Sequence, residues 1–238
     1  MARKARNTSG GRIYHVLNRS AGRIALFRKD ADYTAFESVV LEARRRVPLR
    51  ILAWCLMKNH WHFVVWPRTD DEVTAFFRWL THTHAMRWRV ARATVGWGHL
   101  YQGRFKAFPV QPGHHVLEVC RYVERNALTA GQVKRAQDWR WGSLWARCHR
   151  RTQEQALRLA GILENDAEER VGALQDWVKY VNEAASQREL ERLRDSVGRG
   201  RPFGANAWVK ETVDQMGLEH TIRREGRPAK KGRRKDHA

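Results

Sequence analysis

The order of elements legible in the sequence predicts an α+β fold: a ferredoxin-like antiparallel sheet with helices packed on it, followed by a helical appendage. Three observations carry this. Apolar runs of strand length and stretches of helical period follow one another as strand, helix, strand, strand, helix, strand, helix, the split β-α-β arrangement. Two of the strands are separated only by Lys58-Asn59, a two-residue turn. The chain has 238 residues and is 42% hydrophobic, enough for one such domain with a smaller piece attached.

Each element has a local reason. Residues 1–12 are basic, polar and Gly-containing, which predicts a flexible arm before a domain spanning 13–147. Residues 14–18 form the first strand. Asp30 can cap a helix whose apolar positions Tyr33, Phe36, Val40, Ala43 and Val47 keep helical spacing until Pro48 ends it. Residues 49–57 make a long apolar second strand. Lys58-Asn59 turns the chain, Asn tolerating positive φ, and residues 60–66 return as a third strand that Pro67 terminates. A second helix is expected over 71–93, with Val73, Phe77, Leu80 and His84 on one stripe. Residues 94–103 are a Gly-containing loop, 105–110 a short fourth strand, and Pro112-Gly113 leads into a third helix over 114–127, closed by Gly131.

The appendage is expected over 148–222, helical and charged. Helices at 189–197 and 205–216 flank a Gly-rich turn at 198–204, which fits either a helix-turn-helix-like unit or a packing appendage. The basic tail, 223–238, has the composition of a disordered segment. Arg199-Gly200-Arg201-Pro202 and Gly226-Arg227-Pro228 resemble the core of an AT-hook, although such short strings arise easily in basic tails.

A formal charge of +20 and a sequence pI near 10.9 call for a polyanionic partner, since excess of this size is self-repulsive. Nucleic acid is the expected one. No segment has the pattern of a signal peptide or the length of a membrane helix, so no membrane partner is expected and the place of action is the bacterial cytoplasm, with the nucleoid. Cys55, Cys120 and Cys148 are isolated, without CxxC spacing, and read as small core residues in a reducing compartment. Several of the eleven tryptophans (Trp79, Trp88, Trp139, Trp141) adjoin arginines, which suits core packing with guanidinium stacking; a few could stack on bases.

The most informative local pattern is His60-Trp61-His62, inside an apolar strand. Positions two apart on a strand share a face, so both imidazoles emerge side by side, close enough to share a divalent metal. On the third helix, Val116, Val119, Cys120, Val123 and Ala127 form the buried stripe, and Tyr122 and Asn126, one turn apart, lie along its edge. Packed on the histidine face, that helix would bring the four side chains together. Arg121 and Arg125 are expected to face solvent and Glu124 to point away from the Tyr122 edge. His82 and His84 cannot grip one ion from a helix, and His84 reads as a core histidine. His114 and His115 read as solvent-facing. Tyr101, before Arg104 and Lys106, is the one serious rival to Tyr122 as a nucleophile.

Met57-Lys58-Asn59-His60-Trp61-His62-Phe63-Val64-Val65 resembles the His-hydrophobic-His signature of HUH single-strand endonucleases. Arg121-Tyr122-Val123-Glu124-Arg125-Asn126-Ala127-Leu128 resembles the tyrosine helix of single-tyrosine HUH transposases. The segment 101–110 and Arg201-Pro202-Phe203-Gly204 with Trp208 are similar to segments of REP-associated tyrosine transposases. The likeness is close over 13–145 and looser through 227. Ala127 departs from the commoner proline, a matter of helix ending.

The resemblance implies a strand transferase for single-stranded DNA with hairpin-forming, REP-like repeats. His60, His62 and Asn126 would hold a divalent metal, Mg²⁺ or Mn²⁺, and Tyr122 would attack the scissile phosphate to give a 5′-phosphotyrosyl link. Arg19, Arg104 and Lys106 are expected phosphate contacts and Asn18 a base-edge contact; Arg121, Arg125 and Arg201 complete the expected DNA-binding set. A monomer is expected rather than a homodimer that exchanges the tyrosine helix. The competing reading is a non-catalytic single-strand binder with an RRM-like sheet; a metal hydrolase with water as nucleophile would leave Tyr122 unexplained.

Overall fold

The computed structural model describes residues 8–149 and 174–223. Four strands, β1 (Ile13–Arg19), β2 (Arg50–Met57), β3 (His60–Trp66) and β4 (Lys106–Val110), form one sheet in the order β2-β3-β1-β4. Every neighbouring pair is antiparallel. This is the expected ferredoxin-like α+β arrangement.

Alternation along β3 sorts its side chains between two cores. Trp61, Phe63 and Val65 face α1 (Asp30–Arg46) and α2 (Glu72–Ala91), which bury Phe36, Val40, Phe77 and Leu80 against them. Val64, and with it His60 and His62, faces α3 (His114–Glu124). Here Val116, Val119, Cys120 and Val123 meet Ala53, Cys55, Val64 and Phe108. After Arg125 the helical path resumes as α4 (Asn126–Thr129). Both faces of the sheet are therefore covered, which removes the open aromatic platform an RRM-like binder needs.

Both sheet edges are covered as well, which stops them pairing with other chains. On the β2 side, α5 (Ser143–Cys148) and the residues before it supply partners: Leu56 N–H donates to Trp141 O at 2.9 Å and Trp54 N–H to Ser143 Oγ at 3.0 Å. On the β4 side the appendage does so. It comprises α6 (Leu174–Asn182), α7 (Gln187–Arg199) and α8 (Asn206–Met216). Between α7 and α8, Phe203 N–H donates to Pro109 O and Gln111 N–H to Phe203 O, each at 2.9 Å. Gly204 is required by close approach, since a Cβ there would lie 2.6 Å from both Gln111 Oε1 and the Trp208 ring. The two helices are thus a packing appendage rather than an independent helix-turn-helix. The string Arg199-Gly200-Arg201-Pro202 is the folded end of α7, with Arg199 and Arg201 paired to Asp195 at 3.0 and 3.5 Å, not an extended AT-hook. Gly226-Arg227-Pro228, the tail and residues 150–173 lie outside the described residues.

Four local expectations are corrected. Residues 8–12 are pinned rather than flexible: Thr8 Oγ1 donates to Asp70 O at 3.0 Å and Gly11 N–H to Pro67 O at 2.8 Å. The Lys58-Asn59 hairpin closes without a positive φ, and Asn59 is occupied by side-chain bonds instead. Asp30 opens α1, while Asp32 does the capping, accepting from Arg28 N–H at 2.8 Å. Cys148 is exposed, whereas Cys55 and Cys120 are buried. Guanidinium stacking is present at several tryptophans: Arg50 over Trp66 at 3.7 Å, Arg92 over Trp88 at 4.2 Å and Arg46 over Trp79 at 4.8 Å.

Candidate nuclease site

β3 places the His60 and His62 rings side by side, centroids 5.1 Å apart. Burial, reinforced by the charge of Arg19, pushes His60 down to about 4. His62, 3% exposed, is held well below its usual value by burial and then by the neighbouring His15, His60 and Arg19. Both imidazoles are therefore neutral near pH 7, the form that has a lone pair to donate. The proton on His60 can be placed. Asn59 donates its amide to Arg23 O at 3.3 Å, which turns its carbonyl oxygen toward His60 Nδ1 at 2.8 Å. That oxygen only accepts, so Nδ1 carries the proton and Nε2 keeps the free lone pair.

α3 packs on this face and brings the Tyr122 ring within 6.0 Å of His62, nearly perpendicular to it. The phenol is half-buried; burial holds its pKa above the usual value, opposed by the charges of Arg194 and Arg19. Asn126, one turn on, shares with Tyr122 a cavity of about 200 Å³ between α3 and α7, walled by Leu190, Leu193 and Arg194. Tyr122 and Asn126 thus stand on the same side of the sheet as the histidine pair. The contacts bring together the two neutral imidazoles and Tyr122; Asn126 opens into the cavity between α3 and α7, whose lining does not include His60 or His62.

A second set of conventional ligands was not foreseen. His114, His115 and Glu118 have ligating atoms within 4.8 Å of one another and could hold a metal. His114 is exposed as expected, but His115 is buried, its ring edge-on to Phe203 at 5.6 Å. The two histidines stand in the first turn of α3 and line a cavity of mixed charge with Arg188, Glu191, Arg192, Asp195 and Arg201.

Four of the expected DNA contacts line one cleft. Asn18, Arg19, Arg104 and Lys106 border a cavity of about 460 Å³ closed on one side by Val197 and Gly198 of α7. Arg19 and Lys106 share the histidine face by strand register, Arg19 opposite His60 and Lys106 opposite Leu17. Asn18 points to the other face and its amide is already spent: Nδ2 donates to Gly103 O at 3.2 Å and Oδ1 accepts from Arg19 N–H at 2.8 Å. It shapes the cleft instead of offering a free edge to a base.

Arg121 is buried and Arg125 half-buried, where both were expected to face solvent. α6 covers them, and its final carbonyls, the negative end of a helix, attract both cations. Arg121 donates to Glu183 O at 2.7 Å while stacking over Tyr180, and Arg125 donates to Val181 O at 2.8 Å. Their expected DNA contacts are replaced by a clamp between α3 and the appendage. Arg201 is held by Asp195. Glu124 is buried away from the Tyr122 edge, accepting from Ser143 Oγ, Arg147 Nε and Trp177 Nε1. Tyr101 is sealed in the α1/α2 core, accepting from Trp61 Nε1 at 3.2 Å and bonded to His84 at 2.7 Å, and burial pushes its phenol far up. It cannot be the nucleophile. His84 is a core histidine.

Two residues went unnoticed in the sequence. His15 is fully buried on β1 with Nε2 2.9 Å from His62 Nδ1. Its signal was the one that singled out β3: a polar ring inside an apolar strand. Arg194, whose charge acts on Tyr122, lies on an ordinary charged helix and had no such signal.

The family described as Transposase IS200 like matches residues 9–126, a span that holds the whole sheet, His60, His62, Tyr122 and Asn126. Residues 9–126 are an IS200-like transposase domain. Among solved structures, "Structure of the REP associates tyrosine transposase bound to a REP hairpin" shares the fold with a TM-score of 0.51 at 16% identity, covering 78% of this chain and 93% of that one. A Deinococcus radiodurans structure described as a transposase, at 18% identity, covers 52% of this chain and 96% of that one, but its TM-score of 0.37 adds nothing to the fold. No curated protein matches the sequence. Among the described residues, no helix of this transposase domain or its appendage is long and apolar enough to cross a membrane.

Proposed function

We propose that this transposase-family protein cuts and rejoins single-stranded DNA at hairpin-forming, REP-like repeats through a 5′-phosphotyrosyl intermediate. One observation carries the reading: the Tyr122 ring lies 6.0 Å from His62, on the face that also presents His60. A non-catalytic binder has no use for that convergence.

His60, His62 and Asn126 would hold a divalent cation, Mg²⁺ or Mn²⁺, which when bound draws charge from the phosphate oxygens. Tyr122 Oη attacks phosphorus, forming a Tyr–O–P bond while the P–O3′ bond breaks. The phenolic proton passes to water and the departing O3′ takes a proton, leaving a free 3′-hydroxyl. A phenol held above its usual pKa is a reluctant nucleophile, so Arg194 and Arg19 act by favouring the phenolate. A second 3′-hydroxyl attacking the phosphotyrosine restores the phosphodiester and frees Tyr122. Arg19, Arg104 and Lys106 hold the strand by its phosphates in the adjoining cleft. Action as a monomer is part of this proposal.

The test uses a labelled single-stranded hairpin oligonucleotide with flanking single strands, incubated with Mg²⁺ or Mn²⁺. Wild type should yield a free 3′-hydroxyl product and a protein-DNA adduct stable to denaturing gel electrophoresis, both abolished by a chelator. Tyr122→Phe should bind the oligonucleotide within about twofold of wild type and give neither product. Cleavage that survives Tyr122→Phe without an adduct would assign the chemistry to water and overturn the proposal.

A further inference from the structure

Beneath the histidine pair lies a third imidazole. His15, on β1, is 0% exposed, and its Nε2 lies 2.9 Å from His62 Nδ1. Its ring is wedged between Phe108, edge-on at 4.9 Å, and the His62 ring at 5.1 Å, with Tyr122 at 6.1 Å. Its other nitrogen, Nδ1, has no hydrogen-bond partner. A ring polar at both nitrogens has been placed in an apolar strand where Leu or Phe would cost less, and it makes one polar contact. That contact is to His62.

We propose that His15 is the positioning residue for His62: it accepts the Nδ1 proton of His62, fixes the plane of that ring and leaves its Nε2 unprotonated as a metal ligand. The proposal deepens the reading above and rests on His62 being a ligand. A neutral imidazole keeps one ring nitrogen as an acceptor, and in His15 the nitrogen turned toward His62 is Nε2. Two neutral arrangements are compatible with the 2.9 Å contact. In one, His62 donates from Nδ1 to His15 Nε2, and His15 carries its own proton on the unpartnered Nδ1. In the other, His15 donates from Nε2, and His62 is protonated at Nε2, where it can bind no cation. Only the first is competent, and a cation selects it. His60 receives the same service from the Asn59 carbonyl, so each ligand of the pair has its own acceptor behind it.

The full chain is tested with Mn²⁺ alone, its affinity read by electron paramagnetic resonance without DNA. His15→Phe keeps the packing and removes the acceptor; His15→Gln places an amide oxygen near the position of Nε2. Loss of such an outer partner weakens metal binding 10–100-fold, roughly, and that range is expected for His15→Phe, with His15→Gln recovering to within about threefold of wild type. Urea melts confirm that both variants are folded. Histidine ¹⁵N spectra of the wild type with saturating Mg²⁺ should show His62 protonated at Nδ1 and coupled to His15 Nε2. A folded His15→Phe that binds Mn²⁺ like wild type, a folded His15→Gln as weak as His15→Phe, or His62 protonated at Nε2 under saturating Mg²⁺ would overturn the positioning role while leaving the nuclease reading in place. Mn²⁺ binding unaffected by His62→Ala would overturn both together.

Discussion

Replacing Glu124 by Ala should cost this protein a large part of its stability, because the carboxylate joins three segments. It leaves α3 two residues after Tyr122 and is buried, 2% exposed. It accepts from Ser143 Oγ and Arg147 Nε of α5, the latter at 3.2 Å, and from Trp177 Nε1 of α6 at 2.6 Å. Ser143 has other partners in the Trp54 backbone, so it loses least. Arg147 is 5% exposed and keeps only the Leu52 carbonyl, at 2.6 Å, which does not neutralise its charge. Stranding one partner of a buried pair costs about 3–5 kcal/mol, and an orphaned indole N–H about 1–3 kcal/mol more. The expected loss for Glu124→Ala is therefore about 4–8 kcal/mol, against a total of about 5–15 kcal/mol for an ordinary domain. Urea titration followed by circular dichroism measures it directly. Arg147→Met removes the stranded charge while filling the space, so Glu124→Ala with Arg147→Met should be more stable than the sum of single losses by about 2 kcal/mol or more. A single-mutant loss under 1 kcal/mol, or strictly additive losses, would show that the pair does not tie α3 to α5.

Other outcomes follow from the same contacts. Gly204→Ala pushes a methyl into Gln111 and Trp208, 2.6 Å away, and should cost about 1–3 kcal/mol by thermal or urea melting while leaving the hairpin oligonucleotide cleavable below the transition. His84 is buried and neutral, pushed down to about 3, below its unfolded value of 6.5, so its contribution is complete above pH 6.5 and lost as pH falls toward 3. His84→Asn, which can still accept from Tyr101, should flatten the acid limb of the stability curve between pH 6 and 4 by about 1 kcal/mol per pH unit in melts at several pH values. Arg104→Ala and Lys106→Ala should each reduce the slope of log affinity against log salt by about 0.7 for single-stranded DNA, measured by fluorescence anisotropy, without abolishing the protein-DNA adduct.

The sequence reading succeeded where spacing within one element carries the information. A two-residue period places His60 and His62 on one face, and a four-residue step keeps Asn126 on the Tyr122 side because the helical path resumes directly after Arg125. It failed where the deciding partner is far along the chain. Arg121 looks solvated on the helical wheel, which shows only α3, and the carbonyl that accepts its hydrogen bond belongs to residue 183, 62 positions away. Arg201-Pro202-Phe203-Gly204 looked like a basic turn because nothing local announces that Phe203 pairs with the β4 edge. His15 falls between these cases. A histidine inside Ile13-Tyr14-His15-Val16-Leu17 is as anomalous in an apolar strand as the pair on β3, and the same test flags it. The test flags His84 equally, and His84 serves only the core. What separates the two is the partner each buried nitrogen finds: the Tyr101 hydroxyl for one, another imidazole for the other, 47 residues away. A polar ring in a buried stripe is therefore a sequence signal that some contact offsets its desolvation. Whether that contact is structural or belongs to the chemistry is decided by the register of β1 against β3, which sets Leu17 opposite His62 and leaves His15 one pleat away, behind the site.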